Sequence, residues 1–295
     1  QPFCLRLPVF LGSYCFTAGL PSQIRPHTFL EKMGAGALAA ACKSASEDDL
    51  KKALANLGPE EKKKLMAALE ESSQKKKEKK ALIVSTSADK MGDKATGLWS
   101  EECCGPYYVF KDAGCSVTVC SIAGGDIPID AGSVSADFKT ENDKRMEAEG
   151  SGPLKGTPKL ADQDISAFDI IFFSGGHGTC VDFPTDAVGS VVSKAVAAGK
   201  VVAFVCHGPM ALVKATIEGG DSVVKGKKVA VFSDKEEEMV GLTAKVPFLL
   251  EAKMKELGAE LQPGEPWTEN AVRDGNLVTG QNPQSSVAAA KLCLQ

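Results

Sequence analysis

Short apolar runs alternate along this chain with longer stretches in which apolar residues recur at helical spacing. The runs are rich in β-branched and aromatic residues, which favour strands. They are "ALIVST" (81–86), "SVTVCSI" (116–122), "DIIFFSGG" (169–176), "VVAFVC" (201–206) and "KVAVFS" (228–233). The helix-compatible stretches between them include 101–113, 186–198 and 207–217. This alternation predicts an α/β domain over 80–295, with a mainly parallel sheet covered by helices on both faces.

The residues just before this domain have a different pattern. Leucines at helical spacing stand on both sides of Gly58-Pro59, a pair that ends one helix and begins another. A short helical hairpin is therefore predicted over 46–80, with a role in regulation or interaction rather than chemistry. Its last residues, "KKKEKK" (75–80), are more typical of a solvated linker than of a nucleic-acid patch.

Residues 1–32 form a leader that is not expected to be part of the folded protein. Residues 1–32 only loosely imitate a secretory signal, since Pro8 interrupts the apolar segment. Translation from Met33 is the simpler interpretation. The predicted organisation is a leader at 1–32, a helical hairpin and charged linker at 33–79, and the α/β domain at 80–295.

Composition narrows the functional classes. A formal net charge of −4 gives no reason to expect nucleic-acid binding. The sequence contains no run of 18 apolar residues, so no membrane-spanning helix is predicted. The ten cysteines contain no C-x-x-C pair and no regular framework. In a chain this long, with 43% hydrophobic residues, they are typical of reduced thiols in a cytoplasmic protein.

The run "VVAFVCHGPMALV" (201–213) places Cys206 and His207 at a strand-to-helix corner. Functional groups gather beyond the carboxyl ends of parallel strands. A thiol at the start of a helix has free N–H groups nearby that favour a thiolate and can hold an oxyanion. The corner is similar to a nucleophile elbow, although Phe204 replaces the usual glycine. Adjacent side chains at a sharp turn tend to diverge, so direct pairing of Cys206 with His207 is not assured.

The chain has only three histidines, His27, His177 and His207. His27 falls in the leader, so a catalytic imidazole must come from the other two. A glutamine-amidotransferase triad or a papain-like dyad needs a histidine well downstream of its cysteine. None follows residue 207, which excludes both arrangements.

Two further motifs supply candidate groups. "SGGHG" (174–178) places His177 among Gly175 and Gly176, whose backbone can approach a ligand closely and donate N–H groups to an oxyanion. Glu101 and Glu102 lie in a stretch flanked by aromatic residues. A partly buried carboxyl beside a thiol has a raised pKa and can share a proton with it.

Six motifs in order resemble the ThiJ/PfpI superfamily, and within it the heat-shock-chaperone-like glyoxalase III (D-lactate dehydratase) branch. The motifs are "TGLWSEE…P…F" (96–110), "AGGDIPID" (123–130), "FFSGGHGTCVDFP" (172–184), "AFVCHGPMAL" (203–212), "SDKEEEMVGLTAKVPFLLE" (233–251) and "LVTGQNPQSS" (277–286). Together they cover essentially all of residues 80–295.

This resemblance implies a flavodoxin-like three-layer sandwich and a set of site residues. Cys206 is the implied nucleophile, His207 its neighbouring imidazole and Glu102 the carboxyl in contact with the thiol. Glu237 occupies the position of an acid that orients the histidine, with Glu236 and Glu238 as alternatives. Some relatives bind zinc through a further His/Glu cluster. With three histidines this chain has no spare imidazole for one, so we expect neither a metal nor another cofactor.

The implied activity is the conversion of methylglyoxal to D-lactate without glutathione, through a hemithioacetal on Cys206. Its oxyanion would be held by the backbone of Gly176 and His207. The expected partner is a small 2-oxoaldehyde, with no nucleic acid and no membrane. Relatives often form homodimers, although no segment identifies an interface. Three alternatives stay open: a stress chaperone that holds unfolded clients, a redox sensor that oxidises Cys206, and a protein deglycase.

Overall fold

The computed structural model describes residues 78–295. The predicted leader lies outside the described residues, and so does the predicted helical hairpin apart from its last residues. Within the described residues, no helix is long and apolar enough to cross a bilayer. Seven cysteines are described, and none of them is joined to another in a disulfide.

A six-stranded sheet forms the centre of the fold, in the order β4-β1-β5-β6-β10-β9. Its strands are β1 (Lys80–Ser85), β4 (Ser116–Ser121), β5 (Ile170–Phe173), β6 (Val201–Val205), β9 (Ala271–Asp274) and β10 (Leu277–Gly280). All neighbours are parallel except β9, which runs antiparallel to β10. The short strands β2 (Lys90–Met91), β3 (Lys94–Ala95), β7 (Lys228–Val229) and β8 (Glu260–Leu261) pair separately as β2-β3 and β7-β8.

The helices cover both faces of this sheet. They are α1 (Glu101–Asp112), α2 (Glu141–Ala148), α3 (Thr179–Asp182), α4 (Asp186–Ala197), α5 (Asp234–Met239), α6 (Leu250–Glu256) and α7 (Ser286–Leu294). The β1-α1-β4 and β5-α4-β6 crossovers move in opposite directions along the sheet. Because such connections are right-handed, α1 and α4 lie on opposite faces. Helix α7 packs beside α1. The predicted three-layer, flavodoxin-like α/β fold is confirmed.

The central strands form because their apolar runs are long enough to be buried on both faces. Residues 81–84 of β1 and all of β5 are buried. Aromatic stacking adds to this core, since the rings of Phe173 in β5 and Phe204 in β6 lie parallel with centroids 5.1 Å apart. This rigid centre fixes the positions of the two strand ends that carry the chemistry.

Two predicted elements are shorter than the sequence suggested. The strand expected at 228–233 pairs only over Lys228–Val229, and it does so with β8 outside the main sheet. The helix expected at 207–217 is a 3-10 helix over Gly208–Leu212. Beyond it the chain turns back on itself, since Thr216 pairs with Ser222 in an isolated antiparallel bridge and Gly219 and Gly220 between them have positive φ angles.

The C-terminal strands were not predicted, although β10 lies beside β6 at the centre of the sheet. The segment "LVTG" (277–280) is short and contains a glycine, which weakens the strand signal. Its position matters for the site because the Gly280 carbonyl accepts a hydrogen bond from the Cys206 N–H at 2.9 Å.

Gly208 lies just after β6, where the backbone closely approaches the end of β5. A Cβ at this position would lie 2.3 Å from the Phe173 carbonyl oxygen, whereas a Cβ at Gly152 would meet nothing within 4 Å. Overpacking of this kind costs about 1–3 kcal/mol. We expect Gly208→Ala to lower the free energy of unfolding by that amount in urea titrations, and Gly152→Ala to change it far less. Equal effects of the two substitutions would contradict this close approach.

Candidate active site

The candidate site lies where the ends of β5 and β6 meet the starts of α1 and α5. Strand β5 leads into Gly175, Gly176 and His177, and β6 leads directly into Cys206. The predicted site residues from four separate segments therefore come together at one edge of the sheet. This is the edge at which parallel α/β sheets generally bind their ligands.

Cys206 occupies a strained turn. Its φ angle of 57° lies in the left-handed region, which is rare for residues other than glycine and costs on the order of 1–3 kcal/mol. The N–H bond to Gly280 and the burial of its neighbours hold it there. Only 4% of the residue is exposed. The Gly176 backbone lowers the pKa of the Cys206 thiol in part, against a larger rise caused by burial.

Glu102 is the carboxyl whose pKa is coupled to that of this thiol. It is fully buried, and its Oε2 accepts a hydrogen bond from the Gly175 N–H at 2.8 Å. Burial raises its pKa well above the usual range, despite hydrogen bonds from Cys206 and Gly175 that oppose the shift. Burial, and then the charge of Glu102, also raises the pKa of the Cys206 thiol well above its usual range. Both shifts favour the neutral, protonated forms of the carboxyl and the thiol.

Glycines 175 and 176 thus have different contacts. Sequence analysis assigned both to oxyanion binding, but the Gly175 N–H bonds to Glu102 and does not point into the cavity. Gly176 instead lines the cavity together with Cys206, where its backbone is available to an oxyanion. A Cβ on Gly175 would lie 2.5 Å from Glu102 Oε2, so only glycine lets the carboxyl approach this backbone.

His207 contacts both Cys206 and Glu237. Its Nε2 donates to Glu237 Oε2 at 2.7 Å, while its Nδ1 lies 3.4 Å from Cys206 Sγ. The divergence expected for neighbouring side chains at a turn is therefore not what the structure shows. Because Nε2 carries the proton that bonds to Glu237, Nδ1 presents a lone pair to the thiol. This geometry is that of a base oriented by an acid.

The pKa values of this pair maintain that arrangement. Burial, reinforced by the neighbouring His177, lowers the pKa of His207 to about 4, so the imidazole is neutral at physiological pH. Burial opposes ionisation of Glu237, but hydrogen bonds from His177 and His207 hold its pKa at about 2. An ionised Glu237 accepting from a neutral His207 leaves that imidazole free to take a proton from Cys206.

His177 also binds Glu237, a contact that the sequence did not reveal. Its Nε2 lies 3.0 Å from Glu237 Oε1, and its ring centroid lies 4.1 Å from that of His207. One carboxylate therefore accepts from two imidazoles. The predicted place of His177 at the substrate cavity agrees with its position in the cavity wall. Its connection to the second acid depends on the tertiary fold.

Neighbouring glutamates, which the sequence could not separate, have different roles. Glu236 is buried and accepts hydrogen bonds from the N–H of Trp267 at 2.9 Å and from the Asn282 side chain at 2.9 Å. Glu238 is exposed. Only Glu237 reaches the imidazoles, which favours it as the orienting acid.

Glu101 and its neighbour Glu102 also differ in their contacts. It accepts hydrogen bonds from Thr140 Oγ1 and from Asn142 Nδ2, the latter at 3.0 Å, and it lines the cavity. Burial raises its pKa. The structure shows no contact of Glu101 with Cys206 like that of Glu102, and Glu101 instead anchors the residues that begin α2.

The expectation of no metal rested on a premise that the structure corrects. Ligand atoms of His177, His207 and Glu237 all lie within 4.8 Å of one another, so two imidazoles and a carboxylate converge after all. These residue types bind zinc in proteins. However, each Glu237 oxygen already accepts an N–H from an imidazole, and a metal would have to displace those protons. The absence of a metal remains a prediction.

A cavity of about 590 Å³ opens onto the thiol. Its wall includes Cys206, Gly176 and His177 together with several aromatic side chains. A catalytic sulfur at the end of a largely apolar cavity is suited to covalent chemistry on a small organic molecule.

Comparison with known proteins places this site in a family. Residues 94–295, which are more than half of the chain, match the model of the DJ-1/PfpI family. The chain belongs to the DJ-1/PfpI family. Every candidate residue of the site lies within the matched part of this DJ-1/PfpI chain, and the predicted resemblance to the ThiJ/PfpI superfamily is confirmed.

Similar DJ-1/PfpI-like proteins come from fungi and bacteria. Glyoxalase 3 of Candida albicans is 34% identical over 209 residues, covering 67% of this chain and 88% of that protein. The crystal structure of glyoxalase III from Candida albicans is 31% identical with a TM-score of 0.67, covering 73% of this chain and 96% of that one. The structure of Rapid Encystment Protein 24 kDa from Francisella tularensis is 39% identical with a TM-score of 0.69, covering 73% and 97% respectively.

The raised pKa of Glu102 predicts a pH-dependent stability. Above about pH 4.5 the unfolded chain releases this proton while the folded DJ-1/PfpI domain retains it, so the folded state loses stability as pH rises. Glu102→Gln removes the titration, and its amide can still accept from Gly175. We expect the variant to gain stability relative to the wild type as the pH rises above about 4.5, by up to about 1.4 kcal/mol per pH unit.

Urea unfolding at several pH values provides the measurement for Glu102→Gln. The exposed Glu218→Gln substitution is the matched control, because it removes the same charge outside the site. A stability difference between Glu102→Gln and the wild type that stays constant across this range would contradict a buried, protonated Glu102.

Proposed function

We propose that this chain is a glutathione-independent glyoxalase that converts methylglyoxal to D-lactate. The observation that carries this proposal is the Cys206 thiol, which lies between an imidazole acceptor on one side and a buried carboxyl on the other. Relatives that match across the whole domain are named glyoxalase 3 and glutathione-independent glyoxalase. The enzyme supplies its own thiol, so it requires no glutathione.

The first step is addition of the thiol to the aldehyde. His207 Nδ1, 3.4 Å from the sulfur, takes the thiol proton as Cys206 Sγ attacks the aldehyde carbon. The Gly176 backbone, which lines the cavity with Cys206, donates its N–H to the developing oxyanion. Glu102 donates its carboxyl proton to that oxygen, which gives a neutral hemithioacetal and leaves Glu102 ionised. Glu237 stabilises the imidazolium of His207, since it already accepts from that side chain.

The second step moves hydrogen between the two carbons. Glu102, now ionised, removes the proton from the former aldehyde carbon while the His207 imidazolium protonates the ketone oxygen, which gives an enediol. The same carboxyl returns its proton to the neighbouring carbon while His207 takes the hydroxyl proton from the former aldehyde carbon, and the product is a thioester of lactate on Cys206. The raised pKa of Glu102 suits this task, because a carboxyl that prefers its proton is a stronger base.

Hydrolysis completes the reaction. Glu102 takes a proton from the water that attacks the thioester carbon, the bond between carbon and Sγ breaks, and the His207 imidazolium returns its proton to the thiolate. The net change is addition of one water to methylglyoxal, with no change in oxidation state overall. This mechanism requires no redox partner.

The alternative of a redox sensor has less support from the geometry. Sensor cysteines combine a low pKa with solvent access. Burial raises the pKa of Cys206 instead, and only 4% of the residue is exposed. The cytoplasmic location and the homodimer stay predictions from the sequence, as do the chaperone and deglycase activities. Small-molecule chemistry is the class that the relatives' names support.

Removal of the thiol is the direct test of the mechanism. We expect Cys206→Ala to abolish production of D-lactate from methylglyoxal without glutathione, measured with a D-lactate-specific enzymatic assay. Cys293→Ala, which removes another buried thiol in α7 outside the cavity, is expected to retain activity. Undiminished turnover by Cys206→Ala would show that the sulfur does not carry the reaction.

The orienting role assigned to Glu237 predicts a loss in kcat. In Glu237→Gln the amide no longer favours the proton on His207 Nε2, so Nδ1 no longer presents a lone pair to the thiol. We expect kcat to fall by about 10²–10⁴-fold. The exposed neighbour Glu238→Gln is the control and is expected to behave like the wild type. A Glu237→Gln enzyme with normal kcat and correct folding would exclude this role.

A further inference from the structure

The cavity next to Cys206 is much larger than methylglyoxal requires. Its volume is about 590 Å³. At about 30 Å³ for each non-hydrogen atom, the share of a water molecule in the liquid, methylglyoxal needs roughly 150 Å³. Most of the cavity would therefore stay unfilled with this substrate bound.

Two aromatic pairs extend from the catalytic end of this cavity. On one side the Trp99 backbone touches Gly176, and the Trp99 ring packs edge-on against Phe138 with centroids 5.4 Å apart. On the other side Phe232 packs against His207 at 4.5 Å, and Trp267 packs against Phe232 at 5.7 Å. All four aromatic side chains line the cavity. Its walls therefore favour an apolar ring or chain attached to the carbon next to the reacting aldehyde.

Trp267 is held in this wall by a specific device. Its φ angle of 60° is left-handed, which is unfavourable for a bulky residue. Its N–H donates to the buried carboxylate of Glu236 at 2.9 Å, and Gln281 and Asn282 donate side-chain hydrogen bonds to the same carboxylate. A strained aromatic residue secured by a buried acid indicates a wall built for contact with a ligand.

We propose that the preferred substrates are 2-oxoaldehydes with an aryl or bulky alkyl group on the ketone carbon. This inference rests on the proposed glyoxalase function and specifies its substrate class. Phenylglyoxal is the probe, since at roughly 300 Å³ by the same measure it fits the cavity. Its phenyl group gains from burial between aromatic walls, whereas the methyl group of methylglyoxal is too small to reach both.

The chemistry is unchanged for this substrate. Cys206 Sγ adds to the aldehyde carbon, the hydrogen on that carbon moves to the former ketone carbon, and water releases the acid from the thioester. Phenylglyoxal and one water give mandelate, with no external oxidant or reductant.

The test compares kcat/KM for phenylglyoxal and methylglyoxal, with mandelate and lactate measured by chromatography. We expect the wild type to prefer phenylglyoxal by at least about 10-fold, since one methylene in an apolar pocket changes kcat/KM by about 10–200-fold. Trp267→Gly removes one wall, and glycine accepts the left-handed φ without strain. We expect the substitution to lower the ratio of the two kcat/KM values about 10-fold.

Two controls keep the comparison clear. Ile217→Ala shortens another exposed apolar side chain outside the cavity and should leave the ratio unchanged. Phenylglyoxal also modifies guanidinium groups, so methylglyoxal turnover is measured again after the assay. Among the described residues the arginines, Arg145 and Arg273, do not line the cavity.

The outcomes separate this inference from the function on which it rests. Normal turnover of methylglyoxal with equal or slower turnover of phenylglyoxal overturns the substrate class and leaves the glyoxalase function standing. A ratio unaffected by Trp267→Gly overturns the role of the aromatic walls. If neither aldehyde is consumed, the glyoxalase function fails and the substrate class fails with it.

Discussion

The site depends on one buried carboxylate shared between two imidazoles. Glu237 accepts from His177 at the end of β5 and from His207 at the end of β6, so it links two neighbouring strands at their functional edge. The shared acceptor keeps both Nε2 atoms protonated. Without this acceptor, no hydrogen bond would hold the proton on His207 Nε2, and Nδ1 would not present a lone pair to Cys206. The whole arrangement around the thiol follows from this one contact.

The thiol is consequently bounded by two groups whose pKa values are shifted in opposite directions. Burial raises the pKa of Glu102 and lowers that of His207 to about 4. Both shifts disfavour charge, so the resting site contains few ions apart from Glu237. Proton transfer among carboxyl, thiol and imidazole can then proceed over short distances without much rearrangement of solvent.

Sequence reasoning recovered the parts of this molecule that depend on local pattern. Strands such as β1 and β5 were evident because their apolar runs are continuous, and Cys206 stood out because of its corner. The pairing of His177 with Glu237 was not predictable, since 60 residues separate them and only the sheet brings them together. Contacts between distant segments also place β10 in the sheet, beside β6. They bring His177 next to His207 and Glu237, which corrects the premise that the chain has no second imidazole for a metal site.

The position of β10 also sets when chemistry can begin during synthesis. The turn that strains Cys206 is fixed by Gly280, which leaves the ribosome well after the cysteine does. Until β10 joins β6, the thiol has neither its held backbone nor its completed pocket. The order of residues along the chain therefore delays formation of the strained turn, and of the site built on it, until the sheet is complete.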